Sequence, residues 1–157
     1  MALDFNTVAV GMPQAVPMVK TLNIAFDDIN PQRAVARLPD QSEYHNHIGG
    51  LHAGAMFTLG ETATGALVLG HFGDLLEVAT PLAVEATIRY LKVAFGDVTA
   101  VATIDADPAA LRAQVLAGER PEFTVEVELS TVQPDGSVLQ TGAMSVLWTL
   151  KPVRKPE

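Results

Sequence analysis

Cysteine is absent from the 157 residues, and cations are scarce, with ten Lys and Arg against 18 Asp and Glu and a formal net charge of −8. The first absence excludes disulfides, thiolate catalysis and any Cys-ligated metal, and it suits a cytoplasmic protein. The second, with no run of consecutive basic residues, argues against nucleic acid as a partner. The opening residues, MALDFNTVAV, carry Asp4 and no basic stretch, and no apolar run ends in a cleavage site, so a secretory signal is not expected and the expected location is the cytoplasm. A membrane span is not expected either. The longest apolar segment is interrupted by Gly54, Gly60, Glu61, Gly65 and Gly70. What remains is a length suited to one domain, 1–157, with 48% hydrophobic residues, ample for a core.

That apolar segment, within HNHIGGLHAGAMFTLGETATGALVLG (45–70), organises the chain. From Leu51 onward apolar and small residues fall on every side of a helical wheel, and a helix apolar all round is a buried one. Residues 53–70 would span roughly 27 Å, which suggests a central helix with a sheet around it. Glu61 is the anomaly. A carboxylate in such surroundings must be hydrogen-bonded, paired or protonated, and that makes it a site candidate. The competing reading is a polar stripe of Thr58, Glu61, Thr62 and Thr64 that touches water. Upstream, Asn46-x-x-Gly49-x-x-His52-Ala53-Gly54 supplies small residues at the positive end of a helix dipole, where backbone N–H groups can approach a ligand and stabilise an oxyanion.

These residues resemble the motif of the hotdog-fold acyl-CoA thioesterases, in the phenylacetyl-CoA-thioesterase-like branch: Asn-x-x-Gly-x-x-His-Gly-Gly, then an acid nine residues after the His. Asn46, His52 and Glu61 stand at those separations. Ala53 departs from the pattern by replacing the first Gly of His-Gly-Gly, which keeps the amide donor and adds a methyl. The resemblance implies an α+β fold in which a curved antiparallel sheet wraps a long central helix. It further implies acyl-CoA hydrolysis with Glu61 as general base or nucleophile, the Ala53 and Gly54 amides as oxyanion hole, and Asn46 holding the water or the acid. Because the family's acid and Asn come from different subunits, a homodimer or a dimer of dimers is implied. Coenzyme A would enter as part of the substrate, with no separate cofactor. Some relatives carry a water-positioning serine where this chain has Ala83.

The remaining segments read as scaffold. Residues 5–20, with Pro13 and Pro17, predict a short broken helix packed across an end of the sheet. Residues 21–29 and 33–38 predict a hairpin around Asn30-Pro31, with Val35 and Leu38 facing away from Arg33 and Arg37. A loop over 71–81 and a strand over 84–94 follow. Strands over 98–104, 123–132 and 138–150 are then expected to complete a four-strand meander. Residues 108–118 have helical composition and interrupt that meander as an insertion that reads as a local lid, a partner contact or a surface excursion, the last being the favoured reading. The hotdog core would cover about 22–150.

Each functional reading has a rival. Asn46 can simply organise a turn, and His52 can be a helix-start residue. His45, His47 and His52 invite a zinc site, but no His-x-x-x-His helical pair exists, and no metal is expected. Arg89 and Lys92, read on one strand, are the cationic candidates for the phosphates of coenzyme A, with Lys20, Arg112 and Arg120 less specific. Tyr90 and Trp148 read as sheet packing. A non-hydrolytic acyl-CoA or fatty-acyl binding protein on the same fold remains the alternative to hydrolysis.

Overall fold

The computed structural model describes residues 4–153. Two helices replace the single broken one: α1 (Phe5–Ala15) and α2 (Pro17–Thr21). Asp4 caps α1 by accepting the Asn6 N–H at 3.1 Å. Pro17 fits the first turn of a new helix but cannot continue the old one, so the chain breaks at Val16, whose backbone is extended. Val8 and Met12 turn inward, and α1 lies along the central helix and strand β1 (Ala25–Ile29). That strand starts later than expected because Thr21 ends α2 and Asn23 reverses the chain at a φ of 57°, a conformation asparagine tolerates.

Strand β2 (Arg33–Leu38) pairs antiparallel with β1, as expected. Its inward face carries Leu38, as expected, but not Val35. Ala34, Ala36 and Leu38 are buried, whereas Val35 shares the outer face with Arg33 and Arg37. The two alanines, together with buried Ala100 and Ala102 on β4 (Val98–Ile104), leave a shallow trough in which α3 (Ala53–Phe72) lies. Leu59, Ala63, Ala66, Leu67 and Val68 are all fully buried, so the helix is enclosed on several sides at once. Two glycines permit close approach: a Cβ on Gly60 would sit 2.6 Å from Met144 Sδ, and one on Gly70 would overlap the Phe5 ring.

The helix runs into the first two residues of the expected loop, ending at Phe72, a 3-10 turn covers Gly73–Leu75, and β3 spans Ala79–Tyr90 rather than 84–94. Lys92 therefore lies beyond the strand, in a segment where the Leu91 and Lys92 N–H groups donate to Thr141 O. With β5 (Glu122–Val132) and β6 (Val138–Pro152), the six strands form one antiparallel sheet in the order β1-β2-β4-β5-β6-β3. The meander holds only for β4, β5 and β6. β3 pairs with β6 instead of β4, because the segment 91–97 carries the chain past the N-terminal end of α3, where Leu51 N–H donates to Ala94 O at 2.8 Å. This leaves β3 as an open edge whose Leu82 and Val84 are exposed.

The insertion forms α4 (Pro108–Leu116), capped by Asp107. It is anchored rather than loose: Leu111 and Val115 are buried, and the Arg112 guanidinium donates twice to Asp74 at 2.9 Å and once to His71 O at 2.7 Å. Among the described residues no helix is long and apolar enough to cross a membrane.

Candidate active site

Of the residues singled out in the sequence, Asn46, Ala53 and Lys92 line one cavity on α3 and Glu61 a second, separate one. The first, about 300 Å³, opens at the N-terminus of the helix, and its lining includes Asn46, Ala53, Met56, Tyr90 and Lys92. Asn46 is the knot of the preceding loop. Its Oδ1 accepts the N–H groups of Ile48 and Gly50 at 3.0 and 3.1 Å, and its own N–H donates to Gly50 O at 2.7 Å. Gly49, between them, adopts a φ of 80°, which glycine accepts without strain. In the single chain the Asn46 side chain therefore works on its own loop.

His52 caps the helix: its Nδ1 accepts the Gly54 N–H at 2.9 Å, so in the neutral ring the proton sits on Nε2. This occupies one of the two amides expected to face a ligand. The Ala53 N–H has no partner among the described residues, and it lies at the positive end of the helix dipole. Tyr90 reaches back from β3, its hydroxyl donating to Ala53 O at 3.0 Å, and so ties the edge strand to the first turn of the helix. Lys92 borders this cavity, whereas Arg89 precedes Tyr90 on β3 and falls on the opposite face of the strand.

The second cavity, about 290 Å³, holds Glu61. The carboxylate has no hydrogen-bond or ion-pair partner among the described residues, and burial raises its pKa above the ordinary value. Thr64 Oγ1 donates to the Glu61 backbone O at 2.7 Å and accepts the Trp148 Nε1–H at 3.0 Å. Tyr90 and Trp148 are thus more than sheet packing, and the signal available in the sequence was that each aromatic carries a polar end able to donate a hydrogen bond. The wall that α1 and α2 give this cavity, through Met12, Val16 and Val19, had no such signal.

Glu61 and Ala53 lie eight residues apart on one helix, about 12 Å along its axis. One chain alone therefore keeps its carboxylate and its free helix-end donor in different cavities. His45 is bonded to Asp40 at 2.6 Å, His47 is exposed, and among the described residues no group of three or more potential ligands could hold a metal ion.

Over residues 6–146 the sequence matches the family model described as the domain of unknown function DUF4442. No curated protein matches it. Among solved structures, it is similar to a protein of unknown function and probable thioesterase from Pseudomonas aeruginosa, at 26% identity over 98% of this chain and 99% of that one, with a TM-score of 0.79. A thioesterase family protein from Silicibacter pomeroyi aligns at 18% identity over 96% and 100% of the two chains, TM-score 0.76. The E. coli PaaI protein of the phenylacetic acid degradation operon aligns at 16% over 96% and 94%, TM-score 0.69. The last two bear on fold alone. The curved antiparallel sheet around a long central helix is the hotdog fold.

Proposed function

We propose that this chain, which belongs to the DUF4442 family and has the hotdog fold, hydrolyses acyl-CoA thioesters. One observation carries the reading: Glu61, the one carboxylate of the buried central helix, stands unpartnered in an apolar cavity with its pKa raised by burial. A carboxylate whose proton affinity is raised in this way is a stronger base than an ordinary one. The ionised carboxylate takes a proton from water as the water oxygen adds to the thioester carbonyl, and the N–H of Ala53 stabilises the negative charge on the former carbonyl oxygen. Collapse of the adduct breaks the C–S bond, and the thiolate of coenzyme A leaves and takes up the proton that Glu61 holds, which returns the carboxylate to its ionised form.

The working site is shared between two subunits. The exposed β3 edge offers unpaired backbone groups to a second copy, and pairing there would bring the Ala53 end of one helix toward the partner's carboxylate. Lys92, beside the first cavity, is the cation placed to meet a phosphate of coenzyme A. Arg89 has that role only at a site reached from the other face of β3.

A second reading, acyl-CoA binding without hydrolysis, is favoured by the donation of the Gly54 N–H to His52, which leaves fewer amides for an oxyanion. Free thiol released from a panel of acyl-CoAs separates the two. Hydrolysis predicts release that Glu61→Gln abolishes, and binding alone predicts none from either protein.

A further inference from the structure

The cavity beside Glu61 is elongated along the helix. Glu61, Gly65, Val68 and Leu69 share one stripe of α3 and all line it, so its long dimension from the carboxylate to Leu69 is about 12 Å. Trp148 stands beside the mid-point, where Gly65 presents no side chain. A Cβ at Gly65 would lie 3.8 Å from the indole, in ordinary contact, so glycine here keeps open a space that any larger side chain would fill. The opposite wall is the α1–α2 break, with Met12, Val16 and Val19, and the polar groups among the lining besides Glu61 are the hydroxyls of Thr62 and Thr80 and the indole N–H. That N–H is already committed to Thr64.

We propose that this cavity is the acyl pocket of the reaction proposed above, that it takes an unsubstituted, unbranched acyl chain of about eight to ten carbons, and that Gly65 and the α1–α2 break set that length. The inference rests on the thioesterase reading. An extended carbon chain advances about 1.2 Å per bond, as the extended backbone does, so 12 Å holds about ten bonds. The volume of about 290 Å³ agrees: it is nearly twice the roughly 150 Å³ of an apolar cavity that holds benzene. Little in the lining would compensate a polar substituent on the chain for its lost water, which disfavours hydroxylated and charged acyl groups.

The test is kcat/KM for free-thiol release across straight-chain acyl-CoAs from acetyl to palmitoyl, with phenylacetyl-CoA alongside. The expected profile rises about threefold to fourfold per methylene and turns over at eight to ten carbons. Gly65→Leu, which fills the pocket from the helix, should lower the octanoyl-to-butanoyl ratio at least tenfold. Val16→Trp, at a more exposed position on the opposite wall, should lower it in the same direction and serves if the glycine variant fails to fold. A flat profile, a preference for phenylacetyl-CoA, or an unchanged ratio in both variants would overturn the pocket while leaving hydrolysis standing. If the wild type releases no thiol from any substrate, the hydrolysis reading falls, and calorimetric binding of octanoate then decides the pocket: tenfold weaker binding to Gly65→Leu supports it, and equal binding overturns it.

Discussion

Trp148 on β6 and Thr64 on α3 meet at 3.0 Å in the core, indole N–H to hydroxyl oxygen, and the same hydroxyl donates to the backbone O of Glu61. Thr64 is fully buried and Trp148 nearly so, so neither group has water as an alternative. The pair fixes the turn of helix that carries the carboxylate against the longest strand of the sheet.

Thr64→Val keeps the shape and removes the acceptor, leaving a buried indole N–H unpaired at a cost of about 1–3 kcal/mol. Thermal denaturation should show a Tm lower by several degrees. Replacing both partners, Thr64→Val with Trp148→Phe, removes the orphaned donor, so the double variant should lose less than the sum of the single losses. Additive losses would mean that the hydrogen bond contributes nothing beyond packing.

Glu61 gives a prediction with a definite sign. Burial raises its pKa, so the folded chain holds this proton more tightly than the unfolded chain, whose carboxyl titrates near 4.3. Stability from this group is fully present below that value and is lost as pH rises through the raised folded pKa. Above that raised value the ionised carboxylate therefore weakens the fold. Glu61→Gln should melt above the wild type there and converge with it near pH 4, while turnover falls at least a hundredfold. In the wild type, kcat/KM should climb with pH through the raised pKa. A glutamine variant that melts lower than the wild type at pH 8 would indicate that the carboxylate has a stabilising partner.

What was legible in the sequence was whatever rests on local pattern. Apolar residues on every face marked α3 as buried, and the spacing of Asn46, His52 and Glu61 marked the segment that borders both cavities. Strand order was not legible, because β3 and β4 are consecutive with a turn glycine between them, and nothing in their alternation says that β6 outcompetes β4 as the partner of β3. The inward face of β2 was read correctly at Leu38 and misjudged at Val35, for a related reason. Valine looks like the core residue and alanine does not, but beside a close-packed helix the small side chain is the one that fits. Asn46 could be read as a turn residue or a site residue, and its hydrogen bonds show the first role without deciding the second.

His71, near the C-terminal end of α3, holds α1 in place. Its Nε2–H donates to Pro31 O at 3.0 Å, and its ring stands edge-on to Phe5 with centroids 5.3 Å apart. Burial lowers its pKa; the nearby Arg112 charge adds to that, and the Pro31 bond opposes it. The folded chain thus prefers the neutral ring, and the stability this provides is present above the unfolded value near 6.5 and is lost as pH falls through the lowered one. Glutamine keeps a donor for Pro31 without titrating. The change in Tm between pH 7 and pH 5 should therefore contain an acid loss in the wild type that His71→Gln lacks. Identical pH dependence in the two proteins would mean that the ring carries no linked proton.

The separation of Ala53 and Glu61 between two cavities of one chain leads to a test by subunit mixing. Asn46→Ala unties the loop that presents the helix end, since Ile48 and Gly50 lose their acceptor, and Glu61→Gln removes the base. If the helix end of one chain serves with the Glu61 of its partner, each homodimeric variant carries a lesion in both sites and should be nearly inactive. The heterodimer concentrates both lesions in one site and leaves the other intact. Residues acting as a unit lose function together within a site, so the purified heterodimer should recover about half the wild-type rate per dimer. Recovery requires co-expression or subunit exchange, and the assembly is checked by mass before assay. A correctly assembled heterodimer no more active than its parents would place the helix end and the acid in the same chain's site, and shared catalysis would have to be abandoned even if the protein proved dimeric.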